Sequence, residues 1–222
     1  MIDANLEFHA ASHTGLVHTT NEDSFAVESM ADNGVLLLVC EGMGGMGQGD
    51  VASRLAVDHI VEYLADRHDE PQQRLRDCII HTDRAVREAL CNQGQGLPGS
   101  TAVMAYVLDG MAHVAWVGDS RAYWIRDGLV IGRTRDHKLI DEFIEHGDMT
   151  EEEAKSSPMA HVITRALGGK STREPAVRPS TLHGWALQFN DILVLCSDGV
   201  CDLLSDQEVA DLALSPELED AT

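Results

Sequence analysis

Apolar positions along this chain fall into two rhythms, and the switches between them mark out the elements. Short apolar or alternating runs predict strands at Ser24–Ser29, Val35–Val39, 101–108, 112–117, 121–126, Leu129–Arg133, Trp185–Phe189 and Ile192–Cys196. Residues 6–17 alternate weakly and read as an opening strand, with a turn over Gly15–Asp23. Val51, Leu55, Val57, Ile60, Val61 and Leu64 recur at helical spacing and predict a helix over 50–66, capped by Gly49 or Asp50. Pro71 opens a second helix, with Leu75, Cys78, Ile79, Ala85, Val86 and Leu90 on its apolar side and the glycines of 94–99 closing it. Asp136 to Lys155 is helical and acidic, interrupted at Gly147 and restarted by a capping Thr150. Pro158 breaks that helix, and Val162–Leu167 is ambiguous between helix and strand. Ser205 opens a last helix carrying Val209, Leu212 and Ala213.

Asp109-Gly110 and Asp127-Gly128 sit between alternating runs and predict tight hairpins, and Asn190-Asp191 predicts a turn. Strand-rich stretches with a pair of helices inserted do not make a β-α-β alternation. The order predicts an α+β fold of antiparallel sheets covered by helices. With 222 residues and no repeat, low-complexity tract or linker, one domain over 1–222 is expected.

Composition narrows the partners. The chain is 44% hydrophobic and 24% charged, ordinary for a globular protein. Its 16 Lys and Arg against 37 Asp and Glu give a net charge of −21, which argues against nucleic acid as a partner. Five cysteines lie mostly in apolar runs without a C-x-x-C pair; Cys40 and Cys196 read as buried reduced thiols, and no structural zinc is expected. No signal-peptide pattern is present, and no apolar stretch approaches the roughly 20 residues that span a bilayer. A cytoplasmic chain without a membrane partner is the expectation.

The chemistry lies where strands end. Val35–Cys40 runs into Glu41 and the glycine-rich stretch Gly42-Met43-Gly44-Gly45-Met46-Gly47. Ile192–Cys196 runs into Ser197-Asp198-Gly199, and 112–117 into Gly118-Asp119-Ser120-Arg121. Three strands thus deliver Glu41, Asp198 and Asp119 beside glycines. Carboxylates gathered at one point need cations, so a metal-dependent hydrolase is expected. Gly42-x-Gly44-x-x-Gly47 also matches the dinucleotide fingerprint, which makes a dinucleotide-binding protein the remote alternative. Against it, Glu41 would face a diphosphate, and the helix of 71–92 stands where a parallel strand should follow.

With those residues assembled, the chain resembles the protein phosphatase 2C family of metal-dependent serine/threonine phosphatases, in its short bacterial form. The resemblance is carried in order by Gly15–Ser24, Glu41-Gly42-Met43-Gly44-Gly45, Gly99–Ala102, Val117–Arg121, Arg135-Asp136-His137, and Ser197-Asp198-Gly199 with Asp202. It implies a four-layer α-β-β-α sandwich with two or three Mn²⁺ or Mg²⁺ ions in a cleft at one end. It also implies hydrolysis of phosphoserine and phosphothreonine in proteins, the substrates of a partner kinase, by a hydroxide that bridges two metals roughly 3.5–4 Å apart. By position, Glu41 is the implied bridging carboxylate, Gly42 a carbonyl ligand and Asp198 a ligand of the first metal. Asp119 with Asp198 matches a third-metal site; Glu22, Asp23, Thr101 and Asp202 match positions that hold metal-bound water. Residues 138–167 align with the family's flap, and Met43 lies where some relatives carry a histidine.

Three departures stand out. The family's first acid is Asp where this chain has Glu41; its phosphate-binding arginine falls at His18, which offers one donor in place of a charged fork. The family's closing Asp-Asn motif is missing, since the sequence stops at Leu218-Glu219-Asp220-Ala221-Thr222. A catalytically weakened module that binds phosphoproteins or metal is therefore the alternative to an active phosphatase.

Overall fold

The computed structural model describes residues 6–44, 48–65, 67, 69–91, 98–169 and 184–215. Ten strands and six helices lie within them: β1 (Asp23–Ser29), β2 (Val35–Met43), α1 (Gly49–Ala65), α2 (Pro71–Leu90), β3 (Gly99–Ser100), β4 (Ala102–Leu108), β5 (Met111–Val117), β6 (Arg121–Arg126) and β7 (Leu129–Arg133) come first. Then follow α3 (Leu139–His146), α4 (Glu151–Lys155), β8 (Leu167–Gly168), β9 (Trp185–Ala186), β10 (Ile192–Cys196), α5 (Asp198–Cys201) and α6 (Asp206–Ala213).

The strands form two antiparallel sheets. The larger runs β8-β3-β2-β4-β5-β9, with β1 also paired to β2; the smaller runs β10-β6-β7. Period-two alternation sorts side chains into three apolar layers. On β2 and β4, Leu36, Leu38, Cys40, Met104 and Tyr106 face α1 and α2, meeting Ala56, Ile60, Leu64, Leu75, Ile79 and Val86. The intervening Leu37, Val39, Val103, Ala105 and Val107 meet Ala122, Trp124, Leu193 and Leu195 of the smaller sheet. On the far side, Tyr123, Ile125 and Cys196 pack against Cys201, Val209 and Ala210. Helix, sheet, sheet, helix is the resulting order, the one that the resemblance implies. Each buried aliphatic side chain contributes about 1.5–3 kcal/mol, and a shift of one residue in β2 would exchange both of its layers.

Both Asp-Gly hairpins form with left-handed backbone, at φ 49° and 74° for Asp109-Gly110 and 51° and 77° for Asp127-Gly128. Gly147 ends α3 at φ 79°, and reciprocal capping boxes start α4 at Thr150/Glu153 and α6 at Ser205/Glu208.

Several expectations need correction. Residues 6–17 form no strand: they pair with no sheet edge among the described residues, and Leu6, Phe8, Leu16 and Val17 are exposed. β2 does not stop before Glu41 but runs on to Met43, because β3 pairs with Gly42 and Met43. The strand expected at Trp185–Phe189 is only Trp185–Ala186, and it pairs with β5, whereas β10 pairs with β6. Residues 187–191 therefore cross between sheets rather than close a hairpin. α5 is new; four residues are too few to show a period. The glycines of 94–97, Gly47 and the closing residues 218–222 lie outside the described residues.

Asp191 holds the crossing. Its carboxylate accepts from Trp124 Nε1 at 2.8 Å, from Arg126 Nε and Nη2 at 2.8 and 2.7 Å, and from the Gln188 amide at 2.8 Å. The Arg126 guanidinium, above all, lowers its pKa to about 2. A folded value below the unfolded value of about 3.9 gives stability that is complete above that pH and lost as the pH falls through about 2. Asp191→Asn should therefore lower the urea midpoint at pH 6, and the gap from the parent should shrink steadily between pH 4 and pH 2. A pH-independent gap would rule this linkage out.

Candidate metal centre

The ends of both sheets meet at one rim. Asp23 pairs in register with Glu41, and Gly42 with Ser100, so the end of β2 is clamped from both sides. The Glu41 amide donates to Thr101 Oγ1 at 3.0 Å, while its carbonyl accepts from the Thr101 amide at 2.8 Å and from Ser100 Oγ at 3.0 Å. These bonds fix the backbone and leave the Glu41 carboxyl as the free variable.

That carboxyl points to the smaller sheet. β10 ends at Cys196, Ser197 caps α5, and the Asp198 amide reaches Glu41 Oε2 at 3.4 Å. The Asp198 carboxyl lies close enough for its charge to act on that of Glu41. Ser120 Oγ stands 3.5 Å from Glu41 Oε2 and 2.7 Å from Thr101 Oγ1. Asp119, between β5 and β6, is buried at 2% exposure, close enough for its charge to act on Glu41. Burial first, and then the charges of Asp198 and Asp119, push the Glu41 carboxyl well above the ordinary carboxylate range. Burial raises Asp119 and Asp23 as well.

The remaining predicted residues are placed as follows. Asp23 accepts from Ser197 Oγ at 2.8 Å, tying the first strand to the Asp198 turn. The Glu22 carbonyl accepts from the Gly42 amide at 2.9 Å, and its carboxylate lies over Gly49, where a Cβ would meet Oε2 at 2.6 Å. Gly42 sits against the backbone of Gly49, so a Cβ there would overlap the Gly49 carbonyl. Asp202 is one turn beyond Asp198, and its Oδ1 turns to Lys138 Nζ at 3.0 Å. His18 is exposed and makes no hydrogen bond or ion pair with another described residue.

Sequence reading passes over Lys138, Ser197 and Ser120. Ser120 stands inside the motif beside Asp119, and Ser197 occupies the helix-cap position before Asp198; both signals were local. Lys138 carries no local signal. It is 5% exposed, with Nζ 3.3 Å from Asp119, 3.6 Å from Asp136 and 3.0 Å from Asp202.

Among the described residues, no three His, Cys, Asp or Glu side chains converge as a ready-made metal site. The donor set nonetheless fits a hard divalent cation: carboxylate oxygens and a carbonyl, with no sulfur or imidazole among them. Asp119 Oδ1 is buried without a hydrogen-bond partner among the described residues, a ligand atom left over. Two carboxyl groups in contact are held apart from full ionisation until a cation offsets them. The dinucleotide alternative fails on topology, since β2 is flanked by antiparallel β1 and β4, and α1 leads into α2. No helix among the described residues is long and apolar enough to cross a membrane.

Comparison with known proteins identifies the family. The family model for protein phosphatase 2C matches residues 4–220. The serine/threonine protein phosphatase PstP of Mycobacterium tuberculosis is 32% identical over 221 residues, 97% of this chain but 40% of that protein's length. The serine/threonine phosphatase stp of Listeria monocytogenes is 30% identical, with 93% of this chain and 83% of that protein covered. Among solved structures, the S. agalactiae serine/threonine phosphatase superposes with a TM-score of 0.82 at 25% identity, covering 95% of this chain and 88% of that one. The PstP catalytic domain in complex with two manganese ions superposes at 0.74 with 28% identity, covering 94% and 84%. Sequence over nearly its whole length, layer order and the acids at the rim together place this chain in the protein phosphatase 2C family.

Proposed function

We propose that this protein removes phosphate from phosphoserine and phosphothreonine in proteins modified by a partner kinase, with two Mn²⁺ or Mg²⁺ ions at the sheet rim. The observation that carries the proposal is the contact between Glu41 and Asp198, which are 157 residues apart in sequence. Glu41, the Gly42 carbonyl, Asp198 and the unpartnered oxygen of Asp119 are the groups we assign to hold the ions. When bound, such ions acidify water and offset the charge on the phosphoryl oxygens.

The chain's own residues prepare the rest. Thr101 and Ser120 hold the Glu41 backbone and carboxyl, and Ser197 holds Asp23 beside them. Glu22 and Asp23 stand where they can accept hydrogen bonds from ordered water. His18 is the candidate phosphate contact, and its side chain is exposed to solvent. Residues 138–167, with α3 and α4, serve as the flap beside the cleft, and 1–222 as one phosphatase domain.

The test is phosphate release from a phosphothreonine peptide, with and without Mn²⁺, for the parent and for Glu41→Asp. Release that requires Mn²⁺ and persists or rises in Glu41→Asp is expected. No release from either chain, with phosphopeptide binding intact, would assign a binding role instead.

A further inference from the structure

The structure assigns Lys138 as a built-in cation that occupies the space between Asp119 and Asp202, in place of a further metal ion. This inference rests on the reading of the rim as a metal centre and concerns how many ions that centre takes.

Charge and geometry carry it. An ammonium has three donors, and three carboxylates surround this one at 3.0–3.6 Å, at 5% residue exposure. Asp136 is already satisfied: Arg121 Nε and Nη2 hold its two oxygens at 2.8 and 2.7 Å. Lys138 is therefore the counterion of Asp119 and Asp202. Asp202 has its other oxygen 3.6 Å from His161 Nδ1, and Asp119 presents only Oδ2 to the lysine. Without the ammonium, two carboxylates from different elements would face one space with a combined charge of −2. That is the donor set of a divalent cation.

Backbone contacts hold the lysine's stretch of chain in place. Lys138 bridges to Ile163, the Leu139 amide donates to the Val162 carbonyl at 2.8 Å, and the Thr164 amide donates to the His137 carbonyl at 2.8 Å. Both ends of the 138–167 segment meet at this residue. Its ammonium reaches from there to α5, so the same contact ties that segment to the rim.

The experiment is the number of Mn²⁺ ions bound per chain, counted by electron paramagnetic resonance of free Mn²⁺ during titration. Lys138→Met should bind one ion more than the parent, and Lys138→Arg, which keeps the charge, should match the parent. Asp202→Asn should leave the parent's count unchanged but remove the additional ion from Lys138→Met. Equal counts for the parent and Lys138→Met would overturn the inference while leaving the metal centre intact. So would loss of an ion from the parent on Asp202→Asn, a comparison that stands even if Lys138→Met does not fold. Absence of any bound ion in all five chains, the double variant included, would overturn the metal centre and this inference together.

Discussion

Asp198→Asn should reduce Mn²⁺-dependent phosphate release by about 100-fold or more and weaken Mn²⁺ binding by about 10–100-fold, the scale seen when groups around a metal are lost. The substitution keeps the shape and the backbone amide that reaches Glu41, and removes only the charge. Thermal stability should hold or rise, because one of two carboxyl groups in contact has gone and with it their repulsion. That combination separates a functional acid from a structural one. A calorimetric Mn²⁺ titration that is unchanged in Asp198→Asn would remove Asp198 from the centre.

Among the described glycines, Gly42→Ala should be the most damaging single methyl group. Its Cβ would overlap the Gly49 carbonyl, a backbone atom at the start of α1 that cannot rotate away. Either β2 or α1 must shift, at a cost of about 2–3 kcal/mol for overpacking. For a chain of this length that corresponds to a melting temperature lower by roughly 5–10 °C. Phosphate release should fall with it, because the displaced strand carries Glu41. Gly199→Ala is the comparison: it stands next to Asp198, with nothing within 4 Å of its Cβ position, and should melt near the parent. Equal melting temperatures for the two variants would show that the Gly42–Gly49 approach is not a constraint.

The layers of the fold were legible because each strand of the central sheet is read twice. Leu36, Leu38 and Cys40 satisfy one apolar layer and Leu37 and Val39 another, so continuous apolar runs signalled strands covered on both faces. The rim acids were legible for a related reason: an apolar run that stops at a carboxylate locates that carboxylate at a sheet end. Residues 6–17 misled because alternation records a possible face, not a partner edge. β9 misled because Trp185 belongs to one sheet and Ile192 to the other, a change of partner that no local pattern records. Lys138 was hidden for the same reason. The acids that define it come from the β5–β6 turn, the segment after β7 and the end of α5, and only folding brings them around one ammonium.

Glu41 and Asp198 come together at the rim to hold a divalent cation. The Asp198 amide reaches Glu41 Oε2 at 3.4 Å, and a divalent ion between the two carboxyl groups would offset their charges. The most direct measurement is a crystal structure of the protein grown in Mn²⁺, with data collected at the manganese absorption edge. Anomalous peaks about 2.0–2.6 Å from carboxylate oxygens of both Glu41 and Asp198 are expected. Manganese bound elsewhere, with neither of those two carboxyl groups at a peak, would contradict that role for the rim.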